Sequence, residues 1–141
     1  MADVIYNNFK KLIMNGGIDL DTDTIKVMLV TSSYSPNQDT HDFIDDVSAN
    51  EVSGTGYTAG GQALANKAVT ADNTDNEGVF DADDPSWTTA TITARGAVFY
   101  KDTGTPSTSP VIAYMDFGSD KSSSAGTFTI ALNAEGILNL T

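Results

Sequence analysis

The chain has 141 residues, of which nineteen are acidic and seven are basic, so its formal net charge is −12. A surface with this charge repels phosphate backbones and anionic bilayers, so we expect neither a nucleic-acid partner nor a membrane partner. The length suits one domain with a buried core, and the absence of cysteine excludes thiolate nucleophiles and zinc–thiolate sites.

Residues 2–15 have the spacing of a short amphipathic helix. Apolar side chains recur at Ile5, Phe9, Leu12 and Ile13. Two glycines follow at positions 16 and 17, where helices commonly end. The segment lacks the long apolar run of a signal peptide, so we expect a helix and a protein that starts in the cytoplasm.

The segment "TIKVMLVT" predicts a central strand. Ile25, Val27 and Leu29 would share one face, while Met28 and Val30 make the other face apolar as well. A strand that is apolar on both faces is expected to be covered on both sides.

Residues 32–61 are the least regular part of the chain, and we predict an irregular surface loop. "HDFIDDV" within it favours one helical turn, with Phe43, Ile44 and Val47 inward and Thr40 as the N-cap. A loop of this length in a small domain is often functional.

The end of this region, "GTGYTAGG", raises the question of a phosphate-binding loop. It lacks the third glycine of a dinucleotide fingerprint, because Ala59 stands there, and it lacks the Gly-Lys-Ser/Thr ending of a P-loop. We therefore interpret its glycines as conformational.

From residue 62 onward, apolar residues alternate with polar ones, which is typical of strands. Turn-forming segments, among them "TGTPSTSP" and "DKSSSAG", separate these strands. One helix followed by about six to eight closely spaced strands predicts a mainly β fold. We expect residues 1–141 to form a single antiparallel β-sandwich or jelly-roll-like domain.

No catalytic motif emerges from the reactive residues. His41 lies beside Asp42, but the nucleophile-elbow motif G-x-S-x-G is absent, so we interpret this single histidine as a surface residue. We therefore predict no enzyme activity, no catalytic residue and no cofactor.

Three acidic segments have carboxylates close enough in sequence to suggest a cation site. Asp19, Asp21 and Asp23 begin like an EF-hand loop, but Thr24 and Val30 occupy the positions that require glycine and glutamate. "DADDPSW" and "DNTDNE" could bind a cation weakly, although solvated acidic turns are commoner. We predict no metal site.

The order of several segments over nearly the whole chain resembles a family of small virion structural proteins of tailed bacteriophages. The segments are "DTDTIKVMLVTSSYSPNQDTHDFIDDV", "EVSGTGYTAGGQAL", "VFDADDPSW", "AVFYKDTGT" and "IAYMDFGSD". Members of this family are labelled capsid decoration (cement) proteins or, more loosely, tail-fibre proteins. The resemblance brings no active site with it.

The resemblance implies a decoration protein that is made in the cytoplasm of the host bacterium and binds the outside of the capsid. Its partners would be the major capsid protein and copies of itself, with a trimer as one reasonable form. For capsid or self contacts we nominate four aromatic residues: Tyr34, Phe43, Tyr57 and Trp87. The alternative is a tail or head fibre component that meets the host surface and binds carbohydrate through Tyr34, Tyr57 or Trp87.

Overall fold

Two antiparallel sheets make up the computed structural model, which describes residues 2–141. The larger sheet has the strand order β1-β7-β6-β2-β3, and the smaller has the order β4-β5-β8. The strands are β1 (Val4–Ile5), β2 (Ile25–Val30), β3 (Gln62–Ala63), β4 (Ala68–Asp72), β5 (Glu77–Asp81), β6 (Ser86–Lys101), β7 (Val111–Thr129) and β8 (Leu138–Leu140). The predicted class, a mainly β single-domain antiparallel sandwich with one short helix, is confirmed.

The N-terminal helix, α1, spans Asn7–Met14 and is shorter than the predicted 2–15. Residues 4 and 5 pair with β7 as β1, and Tyr6 before the helix is extended. Phe9, Leu12 and Ile13 pack against the core as expected from their spacing. The helix begins late because strand pairing satisfies the backbone of the first residues.

Strand β2 is covered on both faces, as predicted. All six of its residues pair with β6, from Ile25 opposite Lys101 to Val30 opposite Gly96. Its first face lies in the core between the sheets. Its second face lies in a separate apolar cluster that the segment 32–52 covers with Ile44 and Val47.

Strand β7 runs without interruption for 19 residues, through the segment "DKSSSAG" that was predicted to be a turn. That prediction was wrong because long-range pairing with β6 outweighs the local turn preference. The hydroxyls of Thr93 and Ser122 lie 2.7 Å apart across this pair. Bulges in the pairing with β6 accommodate the turn-forming residues. At one bulge, β7 has extra residues between Asp116 and Lys121.

The segment 62–72 is divided between the two sheets. β3 pairs with β2 in the larger sheet, whereas β4 pairs with β5 in the smaller one. Asn66 between them has a φ of +52°, a conformation that asparagine tolerates better than most residues. Within residues 2–141, no helix has both the length and the apolar character required to cross a bilayer.

Candidate interaction surface

The first part of the irregular region, residues 32–52, lies against the outer face of the larger sheet, where backbone hydrogen bonds fix it. The Ile44 amide donates to the Ser109 carbonyl at 2.8 Å, and the Val111 amide donates to the Asp42 carbonyl at 3.1 Å. At the far end, the Val52 amide donates to a β2 carbonyl at 3.0 Å. The segment is therefore a fixed cover over the second apolar cluster.

The predicted helical turn is present as a short 3₁₀ turn over Ile44–Asp46, but its N-cap is Phe43 and not Thr40. The Asp46 carboxylate accepts hydrogen bonds from the amides of Asp42 and Phe43, at 2.9 and 3.2 Å. A carboxylate satisfies these free amides more strongly than a threonine hydroxyl would. Ile44 is buried, as predicted, and so is Val47 at the end of the turn.

A chain of hydrogen bonds holds the cover down. The hydroxyls of Tyr6 and Tyr34 are 2.6 Å apart, and the Tyr34 hydroxyl is 3.0 Å from Nδ1 of His41. The Asn37 amide also donates to this nitrogen, so Nδ1 is an acceptor and the Tyr34 hydroxyl is its donor. Burial raises the pKa of Tyr34 to about 12 and the pKa of Tyr6 further. His41 therefore has a structural role in this cover.

The second part of the region, the glycine-rich segment 53–61, is organised by the Glu51 carboxylate. One carboxylate oxygen accepts from the Tyr57 hydroxyl at 2.8 Å and from the Gly60 amide at 2.7 Å. The Tyr57 hydroxyl in turn accepts from the Leu29 amide at 3.0 Å. Burial and the bond to Glu51 raise the pKa of Tyr57 well above its usual value.

The glycines in this segment permit close backbone packing. A Cβ on Gly61 would lie 1.8 Å from the Val27 carbonyl oxygen, and one on Gly54 would lie 2.4 Å from that of Thr91. A phosphate-binding loop directs its free amides at the ligand. Here the Gly60 amide is already bound to Glu51, which supports a conformational role for the glycines.

The four nominated aromatic residues do not form one surface. Trp87 and Tyr57 lie together, with ring centroids 5.8 Å apart, but Trp87 is only 6% exposed. Tyr34 is 5% exposed and belongs to the second apolar cluster. Phe43 forms a β-bridge with Pro110 and is partly exposed, as is Tyr57. The contact role of these four residues stays a prediction. Phe43 and Tyr57 are the two whose side chains are partly exposed and could contact a partner.

The first acidic segment is a self-capped turn. Asp19 accepts from the amides of Asp21 and Thr22, and hydrogen bonding by Thr22 lowers the pKa of its carboxyl. Asp23 forms an ion pair with Lys101 at 2.9 Å. The carboxylates of Asp19 and Asp23 therefore already have partners within the chain.

The segment "DNTDNE" forms the hairpin turn between β4 and β5. Within residues 2–141, Asp72, Asp75 and Glu77 are the one acidic group whose oxygens all lie within 4.8 Å of one another. Asp72 accepts from two turn amides, and Glu77 accepts from the Asn139 side chain at 2.6 Å. Both carboxylates therefore already have structural partners.

Two surface features escaped the sequence reasoning. The exposed large apolar side chains are Met14, Val69 and Leu140, at 87%, 53% and 77% exposure. Lys26, Arg95 and Lys101 each form an ion pair, whereas the part of the chain that the structure describes places no carboxylate within 4 Å of the other four lysines. Periodicity alone cannot identify such surfaces, since exposure at a strand end depends on what the opposite sheet covers.

Comparisons of the chain with protein-family models, curated proteins and solved structures found no match.

Proposed function

We propose that this chain is a non-enzymatic virion structural protein that binds the outside of a phage capsid and stabilises it. The observation that carries the proposal is the surface charge. Of nineteen carboxylates in the sequence, the described residues place three in ion pairs, and the net charge is −12. Such a surface is soluble at high local density and is repelled by packaged DNA, which favours an exterior position.

The rigidity of the irregular region supports the same proposal. A decoration protein stabilises a shell by adding interface between capsid subunits, and an ordered surface loses less entropy on binding. The cover is held by backbone bonds and by the Tyr6–Tyr34–His41 chain, and the glycine-rich segment is held by Glu51. The partner in this proposal is the major capsid protein, together with further copies of the chain.

The burial of the aromatic rings favours decoration over a glycan-binding fibre. Carbohydrate recognition by stacking needs an exposed ring face, and Trp87 and Tyr34 are nearly fully buried. Tyr57 packs against Trp87 and uses its hydroxyl in the bond to Glu51. A glycan site on these three residues would require the core to open.

The deciding experiment is the copy number of the protein in purified particles, measured by quantitative mass spectrometry against the major capsid protein. A ratio near one, or a simple lattice fraction of it, is the expected result. A ratio many times smaller would move the protein to the tail or to fibres. Absence from the particle would overturn both structural assignments.

A second experiment tests the stabilising role. Particles that lack the protein should assemble and then lose their DNA at a lower temperature than complete particles. Adding the purified protein back should restore the original temperature. Particles that resist heat equally well without the protein would contradict the proposed function.

A further inference from the structure

The smaller sheet has an edge strand whose outer side is open. β4 pairs with β5 over five consecutive residues, from Ala68 to Asp72, without a register shift, and it is the last strand on its side of the sheet. Residues 68–71 are all exposed and contain neither a charged side chain nor a proline. Natural sheets use charges, prolines and bulges to prevent pairing at an edge, and β4 lacks these protections.

The other sheet edges within residues 2–141 are short or interrupted. β1 and β3 have two residues each, and β8 has three. Beside β8, the Ala2 amide donates to the Ile137 carbonyl at 3.1 Å. The free part of β7 contains bulges in its pairing with β6. β4 is therefore the edge best suited to accept another strand.

Backbone hydrogen bonds show which groups of β4 face outward. The Phe80 carbonyl of β5 accepts from the Ile137 amide at 2.8 Å, so the backbone of Phe80 faces β8. Because this direction alternates along a strand, the residues on either side of Phe80 face β4 instead. The Asp83 amide donates to the Ala65 carbonyl at 3.0 Å on that same side, which agrees with this alternation.

Val69 and Ala71 have backbone groups that are free to bond a further strand. Their neighbours Ala68 and Thr70 lie opposite the two residues of β5 that face β4, so the backbone bonds of these neighbours are made within the sheet. The N–H and C=O groups of Val69 and Ala71 therefore point outward, away from β5. An antiparallel strand satisfies such groups only when its own free groups lie opposite them.

We propose that β4 of one copy pairs antiparallel with β4 of a second copy, about a twofold axis at Val69. The free groups of Val69 in the two copies then bond each other, and those of Ala71 bond Lys67 of the other copy. The two smaller sheets become one continuous sheet. Both copies use the same strand, so the contact is isologous and closes as a dimer. The inference rests on the homo-oligomer part of the proposed function and names the surface that would form it.

The directions of the backbone groups restrict the register. A shift by one residue would place the free groups of Val69 against the groups of Thr70 that are already used within the sheet, so no ladder would form. A shift by two residues would place Lys67 opposite Asn73, which lies in the hairpin turn and is not extended. The register centred on Val69 therefore gives the longest ladder.

The side chains of β4 favour a second copy as the occupant. Val69 is 53% exposed, on the face of the sheet where Phe80 is buried beside it. In the proposed pairing the two Val69 side chains lie opposite each other and cover their exposed parts. On the other face Ala68 lies opposite Thr70, so no bulky group holds the two backbones apart.

The charges beside β4 also permit this contact. The chain carries −12, so most of its surface repels a second copy. Across the proposed pairing Lys67 lies opposite Ala71, and Asp72 lies opposite Asn66, so no two like charges face each other. At this edge two acidic molecules can approach without opposing carboxylates.

The absence of cysteine permits a direct test of this register by cross-linking. Ala68→Cys and Thr70→Cys are made in separate chains, mixed in equal amounts at high protein concentration and oxidised mildly. These positions lie opposite each other as a non-hydrogen-bonded pair with Cα atoms about 4.5 Å apart, a distance that a disulfide spans. We expect the mixed disulfide to form in excess over either variant paired with itself. In the control, Ser107→Cys in the exposed turn between β6 and β7 replaces Thr70→Cys.

Proline substitution separates backbone pairing from random collision. Ala71→Pro removes an outward N–H, which an edge strand tolerates, so the chain should stay folded. Adding it to both cysteine chains should lower the mixed yield roughly fivefold or more, because a hydrogen bond is lost at each end of the contact. Thr70→Pro removes an inward N–H and, in the chain without cysteine, should lower the Tm more than Ala71→Pro does. Equal losses of Tm would refute the assigned directions of the backbone groups.

A charged side chain at the centre of the contact gives a second test that leaves the backbone unchanged. Val69→Lys in both cysteine chains places two lysines opposite each other, so the mixed yield should fall roughly twofold or more. Ser107→Lys makes the same change in net charge in the turn between β6 and β7 and should not lower the yield.

A mixed yield equal to that of the Ser107→Cys control, with every variant folded by thermal unfolding, would overturn the inference. So would a mixed yield unaffected by Ala71→Pro and Val69→Lys, or an excess of Thr70→Cys paired with itself. If the chain stays monomeric and Ala71→Pro prevents it from binding particles that lack the protein, the edge receives a capsid strand in place of a second copy. Particle copy number is measured separately, so a ratio near one without this cross-link would refute the contact and leave the decoration role standing.

Discussion

Replacing Gly61 by alanine should destabilise the fold far more than replacing Gly104, although both glycines are left-handed, at φ of +77° and +88°. A non-glycine residue in this conformation costs about 1–2 kcal/mol. That cost applies to both variants. Only at Gly61 does the added Cβ meet the Val27 carbonyl oxygen, at 1.8 Å, whereas nothing lies within 4 Å at Gly104.

The clash at Gly61 cannot be relieved by turning a side chain, because Val27 contributes a backbone atom of a buried strand. Overpacking of this kind adds about 1–3 kcal/mol, so the Gly61→Ala variant should lose about 2–5 kcal/mol in total. The two variants should differ by the overpacking cost of about 1–3 kcal/mol, which for a chain of this size corresponds to a Tm gap of roughly 3–12 °C. Urea and thermal unfolding of both variants measure it, and equal losses would refute the proposed close packing.

Three further outcomes are expected. Tyr57→Phe should lower the free energy of unfolding by about 2–4 kcal/mol, because it removes a hydrogen bond to the Glu51 carboxylate and leaves the Leu29 amide of β2 unpaired. Tyr100→Phe loses one hydrogen bond to a carbonyl and should lower it by about 1 kcal/mol. Urea unfolding compares the two variants, and the reverse order of losses would contradict the hydrogen-bond network. Asp102→Asn should cost up to about 1 kcal/mol at neutral pH, because the side chain of its partner Lys26 is partly exposed. Bonding to Lys26 lowers the pKa of Asp102 below 3.8, so the difference from the unsubstituted protein should shrink as pH falls below 3.8 and vanish below the folded pKa. A difference that stays constant in acid titrations would be inconsistent with that pair. The free energy of unfolding should also fall as pH rises from 10 towards 12, because the pKa of Tyr34 is near 10 in the unfolded chain and about 12 in the folded protein. In denaturation measurements over this pH range, the free energy of unfolding of Tyr34→Phe should fall less steeply with pH. Equal pH dependence of the two proteins would contradict the burial of Tyr34.

The elements predicted well from the sequence are those whose burial pattern is local. In β2 every residue meets an apolar cluster or a neighbouring strand, so the alternation of its sequence reports both faces directly. The face of α1 could be predicted in the same way. Its start could not, because the pairing of Val4 and Ile5 depends on β7, more than a hundred residues away.

The candidate surface was less predictable because it depends on what each residue meets in three dimensions. Tyr34 and Trp87 look like contact residues in a polar segment and an acidic turn, yet both are buried. Leu140 looks like a core residue at the end of an apolar strand, yet it is 77% exposed, whereas Leu138 two residues earlier is buried. Composition shows how much apolar surface a chain has, but the three-dimensional packing decides which part of it remains uncovered.

The larger sheet has both of its faces occupied, which restricts where a partner can bind. One face packs in the core, and the segment 32–52 covers part of the other. The bulges of β7 disrupt its outer edge as a flat template for strand addition.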